Sequence, residues 1–120
     1  MDEIAKFIST LMSSRNQAHI YHLQTQSFAA HKALQKYYEG IVDLIDTYVE
    51  ACQGRYGILG GYSLPSQVYE DNNPLKYFGG LQKFVDGIRD QLPQDGELNN
   101  TVDEISGLIS STVYKLKFLQ

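Results

Sequence analysis

Apolar side chains recur every three or four residues in four stretches of the chain, the spacing that predicts amphipathic helices. We expect these helices over about residues 2–23, 28–53, 74–92 and 98–119. The second stretch has the clearest apolar stripe, formed by Leu34, Tyr38, Ile41, Ile45, Tyr48 and Cys52. The pattern predicts an all-α fold, a four-helix bundle that makes one domain of residues 1–120.

The residues between these stretches predict where the helices begin and end. Ser27 is a plausible N-cap for the second helix, and Gly54 is the expected C-terminal stop. Asn73 is typical of an N-cap and Pro74 of a first helical residue, so the pair predicts the start of the third helix. A long glycine-rich connection joins the second and third helices, and we expect a short turn within it near Ser66–Glu70.

Composition and charge narrow the class of protein. The net charge is −4 and the ten Lys and Arg residues are scattered, so no basic stripe is available for a nucleic acid backbone and no nucleic acid partner is expected. No apolar run reaches the roughly 18 to 20 residues of a membrane span, so no membrane association is expected. The single cysteine, Cys52, excludes an intrachain disulfide and suggests a reducing, cytoplasmic location.

The candidate chemistry is concentrated in three histidines and the acids of the second helix. His19 and His31 each lie six residues from a helix break centred near residue 25, so an antiparallel hairpin predicts them at equal height. Acids follow one side of the second helix, and Asp46 and Glu50, four residues apart, share a face. Two imidazoles with two carboxylates suit Fe(II), with Zn(II) or another divalent metal as alternatives. His22 is interpreted as a packing or hydrogen-bonding residue.

Helix length decides how these four residues could meet. His31 and Asp46 are separated by about 22 Å at 1.5 Å per residue, which is far beyond the reach of one metal ion. Two copies of the second helix, packed antiparallel about a two-fold axis near Glu39 and Gly40, place His31 of one copy opposite Asp46 and Glu50 of the other. The lack of a side chain at Gly40 is expected to allow this close approach. A metal site therefore predicts a homodimer at least.

These spacings resemble those of the Dps miniferritins of the ferritin superfamily. That family has a histidine in its first helix, a second histidine twelve residues on, an aspartate fifteen further and a glutamate four beyond it, as His19, His31, Asp46 and Glu50 are spaced here. The segment Ile58-Leu59-Gly60-Gly61 and the chain end from Lys115 also resemble the family. The resemblance implies a ferritin-like bundle with a long crossover between the second and third helices. It also implies iron bound and oxidised between subunits, and a twelve-subunit shell.

Two departures from the family pattern keep a second hypothesis open. The carboxylate that the family carries four residues after its second histidine is Gln35 here, and the basic N-terminal arm is absent. The alternative is a ferritin-fold structural or interaction protein without redox activity, such as a phage accessory protein. Enzymatic activity, as a ferroxidase, depends on which hypothesis holds.

Overall fold

The structure, a computed structural model, describes residues 2–120 and is helical, with no strand in that part of the chain. Four α-helices, with a short 3-10 helix (Arg89–Gln91) before the last, confirm the predicted all-α class. In chain order they are α1 (Asp2–Gln24), α2 (Phe28–Tyr56), α3 (Pro74–Ile88) and α4 (Gly96–Phe118). None of the helices within residues 2–120 combines the length and the apolar character that crossing a bilayer would require.

Side-chain caps define the helix starts that the sequence predicted. The Ser27 hydroxyl accepts a hydrogen bond from the Ala30 N–H at 3.1 Å, and the Asn73 side chain accepts one from the Lys76 N–H at 3.2 Å. Pro74 follows as the first residue of α3. Both predicted caps are therefore confirmed.

The predicted end of α2 at Gly54 is wrong, because that helix continues for almost another turn. Gly57 ends it instead: this residue adopts φ 91°, which a glycine tolerates, and its N–H bonds the Gln53 carbonyl at 3.0 Å. The last helix also begins earlier than predicted, at Gly96, and α3 gives way to the 3-10 turn before Leu92. Helix ends carry weaker sequence signals than helix interiors, where the apolar period is repeated.

The four helices form a ring in which α1 packs on α2, α2 on α4, α4 on α3, and α3 back on α1. A continuous apolar core fills the space between them, and its largest fully buried side chains come from all four helices: Phe7, Leu11, Tyr21, Leu34, Tyr37, Tyr48, Phe78, Leu98, Ile105 and Ile109. Tyr38, a member of the predicted stripe of α2, is only half-buried and packs against the edge of this core.

Contacts between helix ends give their directions. Arg55 near the end of α2 bonds Glu97 at the start of α4, so these helices are antiparallel. Gln82 of α3 bonds Ser110 of α4, and Arg89 bonds Asp103, so α3 is also antiparallel to α4. It follows that α2 and α3 run in the same direction at opposite corners of the ring. The segment between them, residues 57–73, must return along the length of the bundle.

This connecting segment, the crossover (residues 57–73), follows α1 and is tied to it by three side chains. The Ser63 N–H donates to Ser9, the Tyr69 backbone exchanges two hydrogen bonds with the Gln17 amide, and Tyr21 donates to Asp71. The short turn predicted at Ser66–Glu70 is absent, and the chain there is irregular. The reason is that the Tyr69 N–H and carbonyl are satisfied by Gln17 rather than by a local turn.

Candidate metal centre at the hairpin of α1 and α2

His22 and His31 bracket the hairpin between α1 and α2. Each donates from Nδ1 to the backbone carbonyl of the other, at 2.7 Å from His22 and 2.8 Å from His31. Their rings stack with centroids 3.6 Å apart, and His22 is almost fully buried. The interpretation of His22 as a hydrogen-bonding residue is therefore confirmed.

These reciprocal bonds define the tautomers of both rings. A carbonyl oxygen only accepts hydrogen bonds, so each Nδ1 must carry a proton. In the neutral imidazole the lone pair then lies on Nε2, which is the nitrogen a metal ion would use. A metal-binding histidine usually donates its other N–H to a carbonyl or carboxylate in this way. His31 is half-buried. Its ring orientation and the proton on its Nδ1 are those of a histidine that binds a metal through Nε2.

His19 has different surroundings from those predicted. Its ring stacks on Tyr38 at 4.4 Å between centroids, and its Nδ1 lies 3.4 Å from a guanidinium nitrogen of Arg15. Because arginine only donates, His19 Nδ1 accepts that bond and the neutral ring carries its proton on Nε2. The positive charge of Arg15 beside His19 also disfavours the binding of a metal cation at this ring. Arg15 precedes His19 by four residues on one helix, so this contact could have been found from the spacing alone.

The expected equal height of His19 and His31 is wrong by about one turn. The helices break at residues 25–27, and it is His22 that faces His31 across the hairpin. His19 lies 5.9 Å from His22 between ring centroids, further from the connection. The sequence argument assumed that the break was centred on residue 25, whereas its centre is residue 26. Moving the centre of a hairpin by one residue changes which residue of the first helix faces a given residue of the second.

The two predicted carboxylate ligands lie on the solvent side of α2. Asp46 and Glu50 are exposed and belong to a stripe that we call the outer face of α2: Phe28, Lys32, Gln35, Lys36, Glu39, Val42, Asp43, Asp46 and Glu50. Within this stripe the Gln35 amide donates to Glu39 at 3.5 Å, the limit of hydrogen-bond distance. His31 stands at the edge of the stripe nearest α1.

One chain does not assemble the predicted ligands. Over residues 2–120, no three His, Cys, Asp or Glu side chains are grouped so that they could hold a metal ion. His31 and Asp46 share the unbroken helix α2, so the separation of about 22 Å between their positions follows from its rise. The predicted site therefore requires the carboxylates of a second copy.

Charge is divided unevenly along the outer face of α2. Its amino-terminal half carries Lys32 and Lys36, and its carboxyl-terminal half carries Asp43, Asp46 and Glu50. An antiparallel copy of the same face, centred near Glu39 and Gly40, would place each basic half against an acidic half. A shallow depression of about 430 Å³ lies along the amino-terminal half of this face, bounded by Lys32, Gln35, Lys36, Glu39 and Gly40.

The reason given for Gly40 has to be corrected. A Cβ atom at this position would lie 3.3 Å from Leu108 Cδ2 of α4, so the glycine allows α4 of the same chain to approach. Its lack of a side chain is explained within one chain and no longer argues for a partner.

Comparisons with known proteins place the chain in a family without defining its chemistry. Residues 22–116 match the family described as "Family of unknown function (DUF5856)", and because the match covers most of the chain, the protein belongs to that family. It is also similar to the "Uncharacterized 14.6 kDa protein in mobD-ri intergenic region" of Enterobacteria phage T4. The two are 25% identical over 111 residues, which is 92% of this chain and 85% of the phage protein. No solved structure matches the chain.

Proposed function

We propose that this protein is a Dps-like, ferritin-type protein that binds iron between two copies of its chain. His31 of one copy would face Asp46 and Glu50 of the other, with His19, about one turn further from the hairpin connection than His22, as a further candidate ligand. The observation that carries the proposal is the bond from His31 Nδ1 to the His22 carbonyl, because it places a proton on Nδ1 and leaves Nε2 as the nitrogen that could bind a metal ion.

The order of the helices supports the ferritin-like part of the proposal. Bundles of the ferritin type have one long connection, which joins two helices that run in the same direction. Here the crossover joins α2 to α3, which both run antiparallel to α4. The similarity to a phage protein is also compatible with a phage-borne member of this class.

The ligands proposed for iron balance its charge. Two carboxylates neutralise Fe(II), and one or two imidazoles complete a mixed oxygen and nitrogen set that leaves positions open for an oxidant. Arg15 must turn away from His19 before that second imidazole could contribute. The three-residue set of His31, Asp46 and Glu50 is therefore the core of the proposed site.

The alternative proposal is a ferritin-fold structural or interaction protein without redox activity. It is favoured by Gln35, which supplies an uncharged amide where the miniferritins carry a carboxylate, and by the positive charge of Arg15 next to His19. In this case the histidines and the acids of α2 would have a structural role, and no metal would bind.

Aerobic titration with Fe(II), followed by ferric absorbance, tests the proposal. The Asp46→Ala/Glu50→Ala double variant should lose saturable iron binding and oxidation. Asp86→Ala/Asp90→Ala is the matched control, because it removes two exposed acids with the same spacing from the other side of the molecule. A wild-type protein that is dimeric but behaves like the double variant would overturn the iron proposal and favour the alternative, and a strictly monomeric protein would do the same.

A further inference from the structure

A cavity of about 460 Å³ lies on the opposite side of the molecule from the outer face of α2. It lies between α1, the crossover and α3 and is partly open to solvent, and its size falls within the range of pockets that hold small organic ligands. None of the residues proposed for iron lines it. We propose that this cavity binds a small aromatic carboxylate.

The wall formed by the crossover is fixed in place. Ser63 is tied to the buried Ser9 at 3.0 Å, and Tyr69 is held by the buried Gln17 at 2.8 and 3.1 Å. Between these two ties the crossover passes over the space between α1 and α3, and the cavity lies beneath it. A pocket held by buried partners is preformed, which reduces the entropy lost when a ligand binds.

Aromatic and apolar side chains define what the interior accepts. Tyr69 and Tyr77 stack edge to face with centroids 5.4 Å apart, and Phe84 and Leu81 add apolar surface. This lining favours a planar ring, because ring faces and edges pair with other aromatic rings.

The phenol of Tyr77 is one of the polar groups around this interior. Burial raises the pKa of Tyr77, so its hydroxyl remains protonated at neutral pH, and it has no hydrogen-bond partner in residues 2–120. It is therefore available as a hydrogen-bond donor to a ligand.

Two charged side chains line the cavity, Lys76 and Asp71, and they differ in what they contact. Lys76 lines the cavity and forms no ion pair within the part of the chain described. The other charged residue there, Asp71, uses Oδ1 to accept hydrogen bonds from Tyr21 at 2.9 Å and from the Asn73 N–H at 3.3 Å. Asp71 keeps its charge but is engaged by these two donors, whereas the Lys76 ammonium has no such partner, so a carboxylate on the ligand could pair with it.

A larger side chain in place of Gly80 is expected to fill the cavity without destabilising the fold. It lines the cavity from α3, and a Cβ atom there would meet nothing within 4 Å. Leucine at this helical position should fill the space and favour the helix. Gly87 is the matched control, because it is also helical and open but does not line the cavity.

The test uses 3-phenylpropionate as the probe and 3-phenylpropanamide as its uncharged analogue, with affinities measured by ligand-observed NMR. We expect saturable binding of 3-phenylpropionate, and binding of the amide that is weaker by about tenfold or more. Gly80→Leu should abolish binding, whereas Gly87→Leu should leave it unchanged. Lys76→Met should reduce the affinity for the carboxylate to that for the amide, and Lys83→Met, on the same helix outside the cavity, should have no effect.

Three results would overturn the proposal. They are failure of 3-phenylpropionate to saturate, equal binding to Gly80→Leu and wild type, and equal affinity for the carboxylate and the amide. Circular dichroism and thermal melting of each variant show that it is folded when its affinity is measured. The iron titration is independent of this experiment, because the two sites share no residue.

Discussion

Two buried tyrosines, Tyr37 and Tyr48, differ in what their hydroxyl groups contact. Ser14 donates its only hydroxyl proton to the Leu11 carbonyl at 2.6 Å, so the Tyr37 hydroxyl, also 2.6 Å from Ser14 Oγ, must donate to it. The Tyr48 hydroxyl has no oxygen or nitrogen partner within residues 2–120, and the group that it contacts is the thiol of Cys52, a weak hydrogen-bonding group. A buried polar group without a partner reduces the stability of the native state.

Replacing each tyrosine with phenylalanine should therefore have opposite effects. Tyr48→Phe should raise the free energy of unfolding by up to about 1 kcal/mol, since it removes an unsatisfied hydroxyl and keeps the ring. Tyr37→Phe should lower it by about 1 kcal/mol, since a good hydrogen bond is lost. Urea denaturation of the two variants beside the wild type measures both changes. Equal destabilisation in both would show that the Tyr48 hydroxyl has a partner in solution.

At the same scale, the pairing of His22 with His31 could not be read from the sequence. His19 and His22 lie one turn apart on the same helix near a predicted break, and counting from the centre of that break favoured His19, whereas it is His22 that faces His31. The choice depends on the rotation of α1 about its axis, which is decided by how its whole apolar face packs on α2.

At the scale of elements, the amide of Gln17 determines the path of the crossover. It pairs with both backbone polar groups of Tyr69, an arrangement that only a side chain with a donor and an acceptor can make. Gln17→Ala should release this part of the crossover while the helices remain packed.

Hydrogen exchange and limited proteolysis measure this release. In Gln17→Ala the Tyr69 amide should exchange faster, and chymotrypsin should cut sooner after Tyr69, whose side chain is exposed. Gln24→Ala is the control, because Gln24 is an exposed glutamine of the same helix. Protection of Tyr69 that is unchanged in Gln17→Ala would show that other contacts hold the crossover.

The end of α2 and the start of α4 are joined by Arg55 and two acids. Arg55 bonds both carboxylate oxygens of Glu97, at 2.7 and 3.0 Å, and lies 3.3 Å from Asp95. The hydrogen bonds from Arg55 hold the pKa of Glu97 below its usual value of 4.5. A carboxyl group whose pKa is lower in the folded state stabilises that state above its unfolded pKa and loses this effect as the pH falls.

Glu97→Gln should therefore lower the melting temperature at pH 7 but not under strongly acidic conditions. The difference from wild type should be complete above pH 4.5 and should close as the pH falls below that value, where Glu97 becomes protonated. The control is Glu104→Gln, an exposed acid of the same helix that should show little difference at any pH. A constant difference at all pH values would contradict an ionic origin.

At the scale of the whole molecule, the charge distribution on the outer face of α2 predicts that two chains pair antiparallel through this face. In Lys32→Glu/Lys36→Glu the charge of the basic half is reversed, so acidic side chains would face acidic side chains at both ends of an antiparallel pair. In Asp43→Lys/Asp46→Lys the charge of the acidic half is reversed, so basic side chains would face basic side chains. Each variant alone should be monomeric.

Mixing the two variants should restore the pair. In a mixed dimer each reversed half faces a half of opposite charge, so equimolar mixing should give a dimer, measured by analytical ultracentrifugation at low salt. Wild-type chains should dimerise under the same conditions. Dimers of either variant alone, or a mixture that remains monomeric, would contradict antiparallel pairing through this face.

The sequence by itself determined the number of helices, their approximate bounds and two of their caps. These features are local: an apolar residue every third or fourth position has one helical face to bury, and Ser27 or Asn73 can cap only the helix that follows it. It also determined that Cys52 is buried, since it continues the apolar stripe of α2. The distance from His31 to Asp46 followed from helix geometry alone.

Only the tertiary structure decided which helical faces meet. The partner of His31, the contact of Gly40 with Leu108, and the ties from Gln17 to the crossover all join residues on different elements. Such contacts depend on the rotation of each helix and on the path of a chain without a repeating pattern, and neither is encoded in local spacing. The cavity beneath the crossover exists for the same reason, because its walls come from three segments that only packing brings together.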